Sequence, residues 1–208
     1  MKKILSVLAL SAIVLSCSDD DSNSTQESFF NLKDGNLWVY KKYIANAEGV
    51  ESFSGITDSV TVSGNQTIGD VSYVRLLHEE YNQSIKVNER EEFVRVDESG
   101  YLVNEQGVVI HPGADFNFQD TQPANDGSEV YGELNYTLNE MQNVTVEGQN
   151  YSVYPYVAMF VSDPEHNLPE GVGCFNNYSA GIGMVATHTR FVSGTNYIEY
   201  RLTDYDIN

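Results

Sequence analysis

The sequence predicts an all-β, mainly antiparallel domain. Short runs rich in Val, Ile, Thr, Tyr and Phe alternate with turn residues, and no stretch has both the length and the period of an amphipathic helix. Half-barrel, barrel and sandwich all satisfy this pattern, because inward and outward positions alternate in the same way in each.

The chain begins with Met1-Lys2-Lys3 and the apolar run Ile4 to Leu15, a basic segment before a short hydrophobic one. This reads as a secretory signal peptide over residues 1–16. The run is well short of the roughly 20 apolar residues that span a bilayer as a helix. Val14-Leu15-Ser16-Cys17 resembles the bacterial lipobox, in which the cysteine takes a diacylglycerol and becomes the new N-terminus. Acyl chains on Cys17, including palmitate, would then hold the protein to the outer membrane, each buried methylene contributing about 0.8 kcal/mol. Ser18-Asp19-Asp20-Asp21 resembles the acidic export signal that sends lipoproteins of the Bacteroidota to the cell surface; the plainer reading is a solvated linker. Residues 17–28 form the lipidated cysteine and a polar tether, and residues 29–208 one domain, which is long enough for its own core.

Within that domain, Trp38 to Ile44 reads as a first strand after the turn Lys33-Asp34-Gly35-Asn36. Asp58 to Ser63 alternates, with a turn expected at Gly64-Asn65, and Val71 to Glu79 is a third run. Glu92–Val96 and Tyr101–Asn104 flank Asp97-Glu98-Ser99-Gly100, a hairpin connection by composition, as do Asn143–Val146 and Tyr151–Val161 around Glu147-Gly148-Gln149-Asn150. Pro155 cannot donate to a ladder, so its segment is expected to be an edge strand or a bulge. Gly183–Val192 and Asn196–Ile207 form a last hairpin through Ser193-Gly194-Thr195, with Ile198, Tyr200 and Leu202 on the apolar face. Two stretches rich in Pro, Gly, Asn and Asp, residues 111–127 and 163–179, are expected to be rim loops and the first places to seek a binding surface.

The run from Phe30 through Gly35 and Trp38 to Tyr40, with Ile68-Gly69-Asp70-Val71-Ser72-Tyr73 and Gly181-Ile182-Gly183-Met184-Val185, resembles a family of uncharacterised flavobacterial-type outer-membrane lipoproteins of the Bacteroidota. The resemblance implies a mostly antiparallel β domain and an envelope location, and implies no activity. By their own chemistry, Trp38 and Tyr40 are core anchors on one strand face, and Gly181 and Gly183 permit a tight turn. Gly-x-Gly without a third glycine or a following helix is no phosphate loop.

Candidate chemistry is sparse. His78, His111, His166 and His188 show no zinc spacing; the first and last fall in expected strands and the other two in the long loops. Asp115, Asn117, Gln119 and Asp126 resemble part of a calcium loop, but Asp120 stands where glycine is required, and alternation with Phe116 and Phe118 suits a short strand or solvated loop better. Cys174 is expected to be a buried small hydrophobe, since no histidine lies near it in sequence. Neither a serine elbow nor a distinctive acid pair is present. Asp58-Ser59-Val60 resembles the acceptor motif for O-glycosylation in the Bacteroidota, making Ser59 a candidate site at the start of a strand. No cofactor and no metal is expected. The net charge of −19 repels phosphate backbones and argues against nucleic acid.

These readings converge on a lipid-anchored surface protein, non-catalytic, serving envelope structure or binding an extracellular protein or glycan. A carrier of lipid or another apolar ligand in a half-barrel is the alternative, and a glycan hydrolase the weaker one.

Overall fold

The computed structural model describes residues 29–191 and 195–208. The expected signal peptide, Cys17, the Ser18 to Asp21 run and the expected tether lie outside the described residues. What is described is almost wholly antiparallel sheet: β1 (Leu37–Ala45), β2 (Glu51–Ile68), β3 (Val71–Asn82), β4 (Ile85–Val96), β5 (Leu102–Asn104), β6 (Val109–His111), β7 (Gln119–Asn125), β8 (Val130–Leu138), β9 (Gln142–Val146), β10 (Gln149–Ser162), β11 (Gly171–Ser179), β12 (Gly183–Arg190) and β13 (Tyr197–Asp206). They form one open sheet in the order β6-β5-β4-β3-β2-β1-β13-β12-β11-β10-β8-β7, with β9 added to the end of β10. Most neighbours are consecutive hairpins; β10 also pairs β8, past the β9–β10 hairpin, and β1 pairs β13, joining the two halves.

The sheet curls so far that its β6 end meets its own concave face. Asn176 Nδ2 on β11 donates to the Ile110 carbonyl at 3.1 Å, and His111 Nε2 lies 2.8 Å from the Tyr154 carbonyl on β10. Of the three closures that the pattern permits, the half-barrel is the one formed.

Two apolar clusters fill the concavity. One gathers Trp38, Tyr40, Val60, Val62 and Leu202 with Val146, Tyr151 and Val153 from the β9–β10 hairpin; the other gathers Phe29, Phe30, Val94, Leu102 and Tyr178. Leu76 and Met184 pack against both and make the core continuous. The β9–β10 hairpin is held to β1 by Glu147, which takes Lys41 Nζ and Tyr43 Oη at 2.7 Å each. Its two-residue turn places Glu147 and Gly148 at positive φ, 48° and 83°, as the twist of a tight hairpin demands.

Two of the motifs named above clasp each other. Trp38 Nε1 donates to the Ile182 carbonyl at 2.6 Å, Tyr40 Oη to Met184 O at 3.0 Å, and Asn31 Nδ2 to Gly181 O at 2.8 Å. Gly183 has φ of 106°, which strains any other residue, and a Cβ there would crowd the indole nitrogen of Trp38 at 3.2 Å. The third motif forms the β2–β3 turn at Gly69-Asp70.

Several expectations are corrected. Residues 111–127 are not a loop throughout: His111 closes β6, and Gln119–Asn125 pair with β8 as an edge strand. Residues 163–179 contain β11, a central strand, whose polar Asn176 is satisfied by Ile110 O and by Thr187 Oγ1 at 2.6 Å. Cross-strand partners of this kind let Asn occupy a strand that its propensity disfavours. Gly64-Asn65 is not the turn after β2 but a break in register between Val62 and Asn65, beyond which the β2–β3 hairpin runs on to Ile68. Pro155 lies neither at a sheet edge nor at a bulge. It sits where β10 changes neighbour, from β9 through Val153 to β8 from Tyr156 onward, so the ladder asks for no N–H there. Its carbonyl accepts Asn139 N at 2.8 Å in that gap. Strand β8 and the first half of β4 carry too many polar residues to be read as strands from the sequence.

Candidate functional site: a cavity with a buried charged cluster in its wall

Inside the half-barrel, between the β1–β6 half and β11–β13, lies a cavity of about 240 Å³. Its deepest side is apolar, formed by Phe30, Val94 and Leu102, each at most 2 % exposed, with Trp38 and Met184 beside them. A second hollow of about 360 Å³, lined by Leu134, Tyr136, Phe160 and Cys174, adjoins it, with Asn176 in the wall of both.

One wall of the first cavity carries charge. Register sets this up: Val60 on β2 stands opposite His78 on β3, and His78 opposite Arg90 on β4, with Asp58 and Glu92 each two residues along on the same face. His78 Nδ1 lies 2.9 Å from Asp58 Oδ2, and Nε2 lies 3.1 Å from Glu92 Oε2. Arg90 Nη1 is 3.6 Å from Glu92 and Nη2 is 3.7 Å from Asp58. Nη2 also stands 2.9 Å from His78 Nδ1, but that nitrogen cannot both donate to Asp58 and accept from Arg90. The carboxylates on both sides favour the imidazolium, so Nδ1–H goes to Asp58 and the Arg90 contact is one of proximity.

Asp58 is 2 % exposed and lines the cavity, and its Oδ1, itself buried, has no hydrogen-bond partner among the described residues. Burial opposes charging of His78, yet the hydrogen bonds to Asp58 and Glu92 outweigh it and raise its pKa above the ordinary histidine value. Burial likewise works against the Glu92 carboxylate, while His78 and Arg90 prevail and hold its pKa below the usual range. The cluster is neutral overall when His78 is charged, with two carboxylates facing two cations. A buried charged set of this kind is tolerated when its members satisfy each other, and here one oxygen is left over.

The other histidines serve structure. His111, fully buried, sits in an aromatic box with Phe29, Phe30, Tyr156 and Tyr178. Its Nε2–H donates to Tyr154 O, its Nδ1 accepts Gly113 N–H at 3.1 Å, and burial lowers its pKa to about 4. His188 stacks on Phe175, and His166 packs on Tyr131 with Nε2 3.1 Å from Val130 O. Cys174 is partly buried, its thiol donating to Tyr136 Oη at 3.2 Å; burial raises its pKa, the state of a thiol at rest. Asp115 accepts Tyr101 Oη at 2.6 Å, and Asp126 caps Ser128 and Glu129 in a turn, so both carboxylates are engaged locally. Among the described residues no group of three or more His, Cys, Asp or Glu is placed to hold a metal ion. No described helix is long and apolar enough to cross a membrane. Ser59 lies in the middle of β2 rather than at its start, partly buried and paired with Val39 and Glu79.

The Asp58–His78–Glu92–Arg90 set is invisible to motif reading. Its members are spread over residues 58 to 92 and meet only through the β2–β3–β4 register. The one signal is a His and an Asp at inward-alternating positions of two β-rich segments.

No family model matches this sequence, and no curated protein matches it either. Among solved structures the chain is similar to a protein from Bacteroides fragilis provisionally described as exported, with a YmcC-like fold. The two share 12 % identity over 86 % of this chain and 98 % of that one, with a TM-score of 0.48. It is also similar to a provisionally described lipoprotein from Parabacteroides distasonis, at 16 % identity over 86 % and 98 % with a TM-score of 0.42. A third likeness is to a β-barrel-like protein of a domain of unknown function from Brucella abortus, at 11 % identity over 84 % and 98 % with a TM-score of 0.35.

Proposed function

We propose that this protein is a non-catalytic binding module of the bacterial envelope, anchored to the outer membrane by lipid on Cys17 and displayed at the cell surface by Ser18, Asp19, Asp20 and Asp21, with its ligand held in the half-barrel. The observation that carries the binding reading is the cavity between Trp38 and Val94, apolar at its floor and open toward Arg90, whose side chain is 45 % exposed. A cavity of this form, mostly apolar with a few converging polar groups, is what small-ligand sites share. It draws the carrier reading into the first one: the interior, rather than the rim, receives the partner. Ser59 stays a proposed O-glycosylation site, and an extracellular protein or glycan a proposed further partner.

The glycan-hydrolase reading draws no support from the acid pair. Asp58 and Glu92 share one imidazole between them, and Glu92 is held below the ordinary carboxylate range, the reverse of what a general acid needs.

Native mass spectrometry of the domain released gently from cells is expected to show a bound small molecule, lost when Val94→Phe fills the cavity floor. A domain with no adduct, and no response to added short-chain amphiphiles, would remove the reading. For location, protease on intact cells should digest the wild type, while Cys17→Ala and the triple change of Asp19, Asp20 and Asp21 to Ala should be protected; a protected wild type would place the domain on the inner side of the membrane.

A further inference from the structure

Asn176 stands between the two hollows of the interior, the first being the cavity with the charged wall, and its place bears on which ligand fits, an inference that rests on the binding reading above. Among the described residues it alone lines both. Of the alternate β11 positions on either side of it, Tyr178 lines the first hollow and Cys174 the second. Strand β12 repeats the order: Thr187, directly opposite Asn176, lines the first, and Thr189, opposite Cys174, the second. The hollows therefore follow one another along β11 and β12, with the Asn176–Thr187 rung at their boundary. Both ends of the amide are taken. Its Nδ2 donates to the Ile110 carbonyl at 3.1 Å and its Oδ1 accepts Thr187 Oγ1 at 2.6 Å, so it forms a crossbar from β6 to β12. We infer that Asn176 sets the length of the ligand: the protein takes a single aliphatic chain whose far end stops against this crossbar, inside the first hollow. A chain that pushed the amide aside would break two hydrogen bonds and replace neither, a loss that exceeds what one or two further buried methylenes gain. The second hollow is itself apolar along Leu134 and Phe160, so the crossbar, and not the lining beyond it, keeps a longer chain out. At roughly 30 Å³ for each water-sized group, the first hollow, about 240 Å³, holds about eight such groups, and the two hollows together about twenty.

Each hollow carries its own reporter. Trp38, the single tryptophan of the chain, lines the first, and Cys174, the only cysteine besides Cys17, lines the second. The test titrates straight-chain alcohols from hexanol to dodecanol into the domain released from cells already folded. Trp38 emission reads the first hollow, and the rate of Cys174 modification by methyl methanethiosulfonate reads the second. In the wild type, affinity is expected to rise roughly fourfold per methylene up to about octanol and then level off, with the Cys174 rate unchanged. Asn176→Ala should move the limit to dodecanol, which then binds about tenfold or more tightly than octanol and slows Cys174 modification by about tenfold. Asn176→Ser, also smaller and still able to donate a hydrogen bond, takes its place if the alanine variant does not fold. A limit that stays at octanol in the folded variant would overturn the inference while leaving the cavity reading intact. So would a wild type in which dodecanol already outbinds octanol and shields Cys174. No saturable shift of Trp38 with any of the alcohols would overturn both.

Discussion

Two buried histidines, on strands β3 and β6, solve the same burial problem in opposite ways. His78 on β3 keeps its charge, because Asp58 and Glu92 reach both ring nitrogens and Arg90 balances the total. His111 at the end of β6 gives its charge up: four aromatic rings and two backbone groups surround it, and a neutral imidazole that donates to Tyr154 O and accepts from Gly113 N satisfies the polar ones. The difference teaches where the fold is sealed and where it is kept polar. The His111 box fastens the β6 end onto β10 and holds the half-barrel closed, whereas the His78 cluster keeps charge at the wall of a cavity.

The pH dependence of stability should separate the two. His111 has a folded pKa of about 4 against 6.5 unfolded, so the unfolded state takes up a proton first as the pH falls. Its contribution is complete above 6.5 and is lost between 6.5 and 4, on the order of 3 kcal/mol. His78 has a folded pKa raised above 6.5, so its contribution is present below 6.5 and is lost as the pH rises through the folded value. The two slopes have opposite sign, and denaturant unfolding over a pH series should show a maximum near the ordinary histidine value.

Breaking the charged side has the largest expected effect. Asp58→Ala removes the buried partner of His78 and is expected to cost about 3–5 kcal/mol in urea unfolding. A cost under about 1 kcal/mol would mean that solvent already reaches the cluster. His111→Ala comes next, at about 3 kcal/mol, since it empties the aromatic box and leaves the Tyr154 carbonyl without its donor. His111→Phe keeps the ring and loses both hydrogen bonds, for about 1–2 kcal/mol at neutral pH. Its sharper readout is the pH profile of stability: the acid slope between 6.5 and 4 should flatten while the alkaline slope of His78 stays. Arg90→Met is the smallest, within about 1 kcal/mol, because its side chain is 45 % exposed and its pairs are screened.

Legibility followed the range of the interaction. The Glu147-Gly148 and Asp97-Gly100 hairpins could be read directly, because a turn of a few residues dictates its own geometry. Trp38 and Tyr40 were legible as core anchors for the same reason, being large aromatics at alternate positions of one strand. β11 is not, since Asn176 and Asn177 look like loop residues, and the partners that let Asn176 sit in a strand, Ile110 and Thr187, come from elsewhere in the chain. Pro155 was misread because a proline is read as a ladder defect, and only the handover from β9 to β8 shows that the ladder has a gap there. The four members of the charged cluster were each visible as ordinary polar residues of β-rich segments, with nothing in their spacing to join them.

By itself, then, the sequence determined the β class, the hairpin turns, the inward-facing aromatics and the acidic surface, all of which depend on neighbours within a few residues. The tertiary structure decided that the sheet stays open and curls onto His111, that β1 pairs β13, and that Asp58, His78, Arg90 and Glu92 share one cavity wall. Those outcomes rest on strand register and long-range closure, where a shift of one residue would turn every inward side chain outward, and no local preference specifies that choice.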